Sequence, residues 1–237
     1  KFGFVDNYGV IYGSTQEDLP NFLSAKFNFH LEVLWNIPNE LVDKHEFKPM
    51  PNGNYMGMLK VDTLGPIPSD IGMTQSFRDL GFAADDTTAE FPWFGQKIVE
   101  WNEDREVVWS WNPFDHYTME DYDEIGFTWP NAYNQLFYQW NHSNAFYYDE
   151  AESVIYYSIR HLSRISKISY PSGEVIWNMG LPEPYMSTGA ESICSDLLFS
   201  FQHHIQLLDN GHLLFFDNGN LSEELFGYDN PISRVLE

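Results

Sequence analysis

The feature that most constrains this chain is a unit that recurs along it: a histidine, a short apolar run, a turn and a second apolar run. A repeat of this size marks one supersecondary piece of a larger array and has to be read before any single element. The first copy opens at His45, turns through Pro51-Asn52-Gly53-Asn54 and continues over residues 55–59. A middle copy opens at His142, turns through residues 149–152 and continues over 153–158. The last opens at His203, turns through Asp209-Asn210-Gly211-His212 and continues over 213–216. Asn-Gly between apolar runs predicts a tight hairpin with positive φ at both central positions.

A second hairpin accompanies these. Residues 96–101 and 106–111 flank a turn at Asn102-Glu103-Asp104, and residues 164–168 and 174–177 flank Tyr170-Pro171-Ser172-Gly173. Two hairpins in succession make a four-stranded antiparallel blade, so the expected fold class is all-β, a β-propeller of which about four blades are visible. A sandwich of two sheets is the alternative for many short strands, and repetition of the double hairpin favours the propeller. The intervening segments 63–94, 115–140 and 181–200 are long for a compact β protein. That points to functional loops, or to contacts in a homo-oligomer or larger assembly. Residues 73–80 and 119–125 are candidates for short helices. The last residues, Ser233-Arg234-Val235-Leu236-Glu237, read as a strand just beginning. The expectation is a single propeller domain over residues 1–237 that is incomplete at both ends.

Composition narrows the partners. An apolar fraction of 43% supplies a substantial core, and aromatic residues at 17% sit in β-like runs rather than at helical spacing. With 35 acidic against 12 basic residues the formal charge is −23, which argues against a nucleic-acid or anionic-membrane partner and suits a solvated surface. Calcium loops of alternating Asp and Asn are missing, so Glu120-Asp121-Tyr122-Asp123-Glu124 reads as a charged loop. Cys194 is the only cysteine, which excludes an internal disulfide and a cysteine zinc site. No apolar run approaches the ~18 residues of a membrane span.

Four stretches together resemble the arylsulfotransferase family. They are His45-Glu46-Phe47 with its Asn-Gly turn; Trp140-Asn141-His142-Ser143-Asn144-Ala145; Ser158-Ile159-Arg160-His161-Leu162-Ser163-Arg164-Ile165 with Gly173-Glu174-Val175-Ile176-Trp177; and Phe199-Ser200-Phe201-Gln202-His203 through Phe215-Phe216-Asp217-Asn218-Gly219. The resemblance implies a six-bladed propeller, of which this chain covers part. It also implies transfer of a sulfuryl group from an aryl sulfate ester to a phenolic acceptor, with no nucleotide cofactor and no metal. A periplasmic or extracellular location comes from the resemblance alone.

The same resemblance assigns roles. His203 matches the histidine that attacks sulfur and is transiently sulfated, a step suited to a neutral imidazole. Arg160 matches the arginine that holds sulfate oxygens, for which a guanidinium fork is fitted. His142 and Asn144 match a pair directed at the site, as residues two apart on a regular strand would be. His142 would bond sulfate or protonate the leaving oxygen, and Asn144 would orient it. His45 is a further candidate acid or base. Arg160 and Arg164 are expected to give the funnel a positive patch, and His204 to face away from His203.

Two other readings compete. A catalytically silent propeller could serve as a binding or assembly module, with Trp93, Trp129 and Trp140 as partner anchors rather than packing residues. A metal-dependent hydrolase ranks last, since no H-E-x-x-H or comparable set occurs.

Overall fold

Alternation of apolar and polar residues sets the strands, and their order along the chain follows the double-hairpin pattern. The computed structural model describes residues 2–13, 24–37, 42–182, 185 and 192–237. The strands are β1 (Phe2–Val5), β2 (Ile11–Gly13), β3 (Ala25–Phe27), β4 (Val33–Asn36), β5 (Val42–Pro49), β6 (Tyr55–Gly65), β7 (Phe91–Trp101), β8 (Val107–Trp111) and β9 (Tyr138–Gln139). They continue as β10 (Ser143–Asp149), β11 (Val154–Ile159), β12 (Arg164–Ser169), β13 (Val175–Gly180), β14 (Ser192–Ile193), β15 (His203–Leu207), β16 (Leu213–Asp217) and β17 (Arg234–Leu236). Among the described residues, helices are confined to α1 (Thr74–Asp79), α2 (Thr128–Gln135) and α3 (Ser222–Phe226), apart from two short 3₁₀ turns.

The fold is all-β and of β-propeller type, in four antiparallel sheets with the strand orders β1-β2-β3-β4, β5-β6-β7-β8, β10-β11-β12-β13 and β15-β16-β17. Two short strands add parallel pairs, β9 on β7 and β14 on β13. Both double hairpins named from the sequence form meanders, and the terminal segment pairs as β17 on β16. The first sheet was not foreseen, because strands of three or four residues leave too short an alternation to read. Of the two helix candidates, 73–80 is α1, whereas 119–125 holds turns and bends and the helix begins only at Thr128. Part of the third long loop, within 181–200, falls outside the described residues.

The Asn-Gly turns form with one difference. Gly53 and Gly211 have φ of 88° and 83°, but the asparagine before each stays at negative φ. The amides of Gly53 and Gly211 donate to Met50 and Leu208 carbonyls at 3.0 and 2.8 Å, and the amides of Met50 and Leu208 donate to Asn54 and His212. This is a type I turn closed by a left-handed glycine, which suits Pro51 at the second turn position.

The chain divides into two compact units, residues 1–61 with 96–113, and residues 62–95 with 114–237. The core of the first gathers Tyr12, Trp35, Phe47, Tyr55, Val99 and Trp101, with Trp35 stacked on Phe47 at 5.7 Å. In the second, one core joins Ala145, Tyr156, Ile165, Phe199, Ile205 and Phe215. Another is aromatic. Trp129 of α2 stacks on Tyr138 at 4.0 Å, Trp93 meets Tyr138 edge-on at 4.8 Å, and Phe114 stacks on Trp140 at 4.6 Å. Trp93, Trp129 and Trp140 are buried, with at most 3% of their surface exposed, so they pack the fold and are not partner anchors. No helix among the described residues is long and apolar enough to cross a membrane.

Phe77 is the hub that seats α1. Its ring is fully buried and meets Phe91, Tyr133, Phe82 and Trp129 edge-on. Truncating such a ring removes its transfer energy and leaves a cavity that rigid neighbours cannot fill. Phe77→Ala is expected to lower the unfolding free energy by about 3–5 kcal/mol, read from the shift in denaturant midpoint at constant slope.

Candidate active site

The second unit brings most of the named residues together through turns and bulges. Arg160 and His161 occupy the turn between β11 and β12, closed by the Ser163 amide donating to the Arg160 carbonyl at 3.1 Å. The His161 amide donates to Asn141 at 3.1 Å and its Nδ1 bonds the Gln139 carbonyl at 2.5 Å, which fixes the ring. The His142 ring lies 4.7 Å from that of His161, and the Phe201 ring lies 5.4 Å from it. The Arg160 guanidinium lies over the Phe201 ring, 4.5 Å from its centre. His142, His161, Phe201 and Arg160 therefore form one cluster.

His203 follows Phe201 by two residues at the start of β15. Its Nδ1 is 2.7 Å from Asn218 Oδ1 and 3.1 Å from the Phe201 carbonyl. Both partners accept, so the ring hydrogen sits on Nδ1 and the neutral tautomer carries its lone pair on Nε2. Asn218 is itself held by its neighbours. Asp217 is buried, accepts the Ser200 and Gly219 amides at 2.9 and 2.8 Å, and pairs with Arg234 through two nitrogens at 2.9 and 2.7 Å. Gly219 has φ of 64°, and a Cβ there would meet the Ile232 carbonyl oxygen at 1.9 Å, so close approach of two backbones requires glycine at this position.

His142 and Asn144 are not placed as a regular strand would place them. His142 precedes β10 at φ of 42°, and the pairing of β10 with β11 shifts register between Ser143 and Ala145. Asn144 is consequently buried, and its Nδ2 donates to the Gln202 carbonyl at 2.8 Å. It fastens the strand that carries His142 to the one that carries His203. His204 departs for a similar reason: a register shift between His203 and Ile205, with His204 at φ of 56°, leaves it exposed without strict alternation.

Arg164 does not contribute to a positive patch. It is buried and pairs with Asp121, with the Tyr117 ring beneath its guanidinium at 5.3 Å. The acidic run 120–124 is likewise not a plain solvated loop. Asp121 and Asp123 are buried, and burial raises both carboxyls, against the Arg164 charge at Asp121 and against the Thr128 hydroxyl and loop amides at Asp123. Arg160 differs from Arg164. It is half-buried, it takes part in no ion pair among the described residues, and burial lowers its pKa against a distant attraction from Asp123. A guanidinium remains charged at neutral pH even so.

Two clefts of about 240 and 200 Å³ share Thr128, Asn131, Arg160 and His161. Phe201 and Phe127 line the first, and His142 lines the second. His45 belongs to the first compact unit. There its Nδ1 meets Asp43 Oδ1 at 2.5 Å, and Gln96 donates to the other oxygen at 3.3 Å. Burial pushes the Asp43 carboxyl up, but the hydrogen bonds and charge of His45 outweigh it and hold it below its usual range. The pair is a histidine oriented by a carboxylate, the arrangement a proton-transferring imidazole uses. Among the described residues no three His, Cys, Asp or Glu side chains converge as a metal-ligand set.

The supporting residues Asn218, Gln202, His161 and Asp43 carried no role in the sequence reading. Asn218, Gln202 and His161 lie inside the motifs quoted above, and the Asn-Gly pair after β16 was the available signal for the first.

Burial, then the adjacent Arg160 charge, push His161 down to about 3, and the Gln139 carbonyl opposes them only in part. Folded His161 thus stays neutral while the unfolded chain takes up a proton below the ordinary value of 6.5. Its contribution is absent above that value and increasingly destabilising as pH falls towards 3, at up to ~1.4 kcal/mol per pH unit. His161→Gln is expected to lose stability less steeply than the wild type between about pH 6 and pH 4, measured by denaturant titration at each pH.

No curated protein matches this chain. The sequence model of the arylsulfotransferase (ASST) family matches residues 82–235, more than half of the chain and the whole of the His142, Arg160 and His203 region. Shared motifs, four antiparallel sheets and this match agree: the chain belongs to the arylsulfotransferase family, whose general activity is aryl sulfotransfer.

Proposed function

We propose that the protein moves a sulfuryl group from an aryl sulfate ester to a phenol in two steps, through a sulfated His203. The observation that carries this reading is the 2.7 Å contact of His203 Nδ1 with Asn218, which leaves the imidazole lone pair on Nε2, two residues along the chain from the Phe201 ring that Arg160 covers. In the first step Nε2 attacks sulfur, an N–S bond forms, the S–O bond to the aryl group breaks, and its electron pair stays on the phenolic oxygen. His142 supplies a hydrogen bond or proton to that oxygen. In the second step a phenol oxygen attacks sulfur and gives its proton to His142, which lost one in the first step, and the electron pair of the broken N–S bond returns to His203. Sulfation makes the ring cationic unless Nδ1 gives up its hydrogen, and the Asn218 carbonyl oxygen stabilises the hydrogen where it is.

Arg160 suits the sulfate oxygens. Half-buried, spread over Phe201 and without a carboxylate partner among the described residues, it has donors to offer an anion. Asn144 acts here through the Gln202 carbonyl rather than on substrate, as a positioning residue. His45 with Asp43, in the other compact unit, is a candidate acid or base in its own right.

Brief incubation of the full-length protein with 4-nitrophenyl sulfate is expected to add one SO₃ to the intact mass, and His203→Ala to abolish the adduct. Neither adduct nor phenol release would leave the propeller as a binding module. Arg160→Ala should lower kcat/KM about 10- to 100-fold, the range for losing one charged hydrogen-bonding group. Asn218→Ala should lower kcat about tenfold with a smaller change in KM, and Asn218→Asp, which still accepts from Nδ1, should recover part of it.

A further inference from the structure

The cleft that holds Arg160 has a second electrostatic feature, opposite in sign. Its wall is completed by α3 and the residues before it, which bring Leu221, Glu223 and Glu224 to the same space. Leu221 is buried, whereas both glutamates are exposed. On another side stands Phe127, 80% exposed at the start of α2. An apolar ring so exposed in a cleft offers a surface for another ring. One guanidinium, aromatic faces and two carboxylates thus meet in a space of about 240 Å³.

These parts sort ligands by charge. A sulfate ester brings a single anionic group, which Arg160 accepts, and its ring lies on the aromatic wall. A second negative group on that ring would meet the Glu223 and Glu224 carboxylates with no further cation among the lining residues. A positive group would be attracted by the same pair, and the −23 formal charge of the chain acts in the same sense. We propose that this cleft selects aryl sulfates whose ring carries no second negative charge, and that Glu223 and Glu224 favour donors bearing an ammonium group. The inference rests on the reading of the cleft as the donor site.

The test uses the full-length protein and three donors: 4-nitrophenyl sulfate as reference, 4-carboxyphenyl sulfate and 4-(trimethylammonio)phenyl sulfate. Leaving-group reactivity differs among them, so the quantity to compare is the cationic-to-anionic ratio of kcat/KM in wild type and in the Glu223→Gln, Glu224→Gln double variant. Both changes are isosteric and at exposed positions, and unchanged melting would verify the fold. The ratio is expected to fall about tenfold in the variant, the size suited to two carboxylates acting across a wet cleft. In wild type it should also fall as salt is raised, and in the variant much less. An unchanged ratio while 4-nitrophenyl sulfate is still turned over would overturn the role of the two glutamates alone. No phenol release from any donor would overturn the catalytic reading and this inference with it.

Discussion

The buried side chain of Gln202 is the fastening on which the site depends. Its Nε2 lies 3.1 Å from Ser158 Oγ, 3.2 Å from the Ile159 carbonyl and 2.8 Å from the Arg164 carbonyl, so it grips the ends of β11 and β12 at the turn that carries Arg160 and His161. The backbone carbonyl of the same residue accepts from the Asn144 side-chain amide of β10. Phe201 precedes it and His203 follows it. One residue therefore sets the approach of three strands whose ends carry Arg160, the imidazole cluster and His203. An amide that lost these partners would be stranded in the interior at a cost of about 1–3 kcal/mol, so the constraint is both geometric and energetic.

Asp217 serves the other flank. Its two oxygens divide their work, one taking the Ser200 and Gly219 amides and the other Arg234. The strand carrying Asn218 is thus tied to the segment just before His203, and the 2.7 Å contact between Asn218 and His203 is a consequence of backbone placement rather than of a chance rotamer. Held from two sides, the His203 ring has a fixed orientation, which is what the proposed role in group transfer would require.

Much of this was legible in the sequence, and what was not has physical reasons. Asn-Gly turns and alternating runs named the hairpins, because turn chemistry and strand period are local. The turn subtype was missed, since a left-handed glycine closing a type I turn uses the same two residue types. Bulges at Ser143/Ala145 and His203/Ile205 were invisible, because a register shift belongs to the pairing of two strands and neither strand encodes it alone. They are what turned Asn144 inward and His204 outward. Charge misled at residues 120–124, where Asp121 is buried by its pairing with Arg164 and Asp123 by a cap of hydroxyl and amide donors.

The two arginines of one hairpin contrast in a way that bears on the proposed anion site of an acidic chain. Arg164 is satisfied by Asp121, and such a buried pair offers nothing to a ligand, because removing either partner would cost about 3–5 kcal/mol. Arg160, four residues earlier, has the Phe201 face beneath it and Asp123 only at a distance. With 35 carboxylates in the sequence, Arg160 still makes no ion pair among the described residues, although Glu223 and Glu224 line the same cleft. The ring supports the charge by ~0.5–2 kcal/mol without neutralising it. Donors left in this state interact most strongly with an anion that brings its own oxygens, and the lowered pKa of Arg160 registers the same desolvation that strengthens that bond.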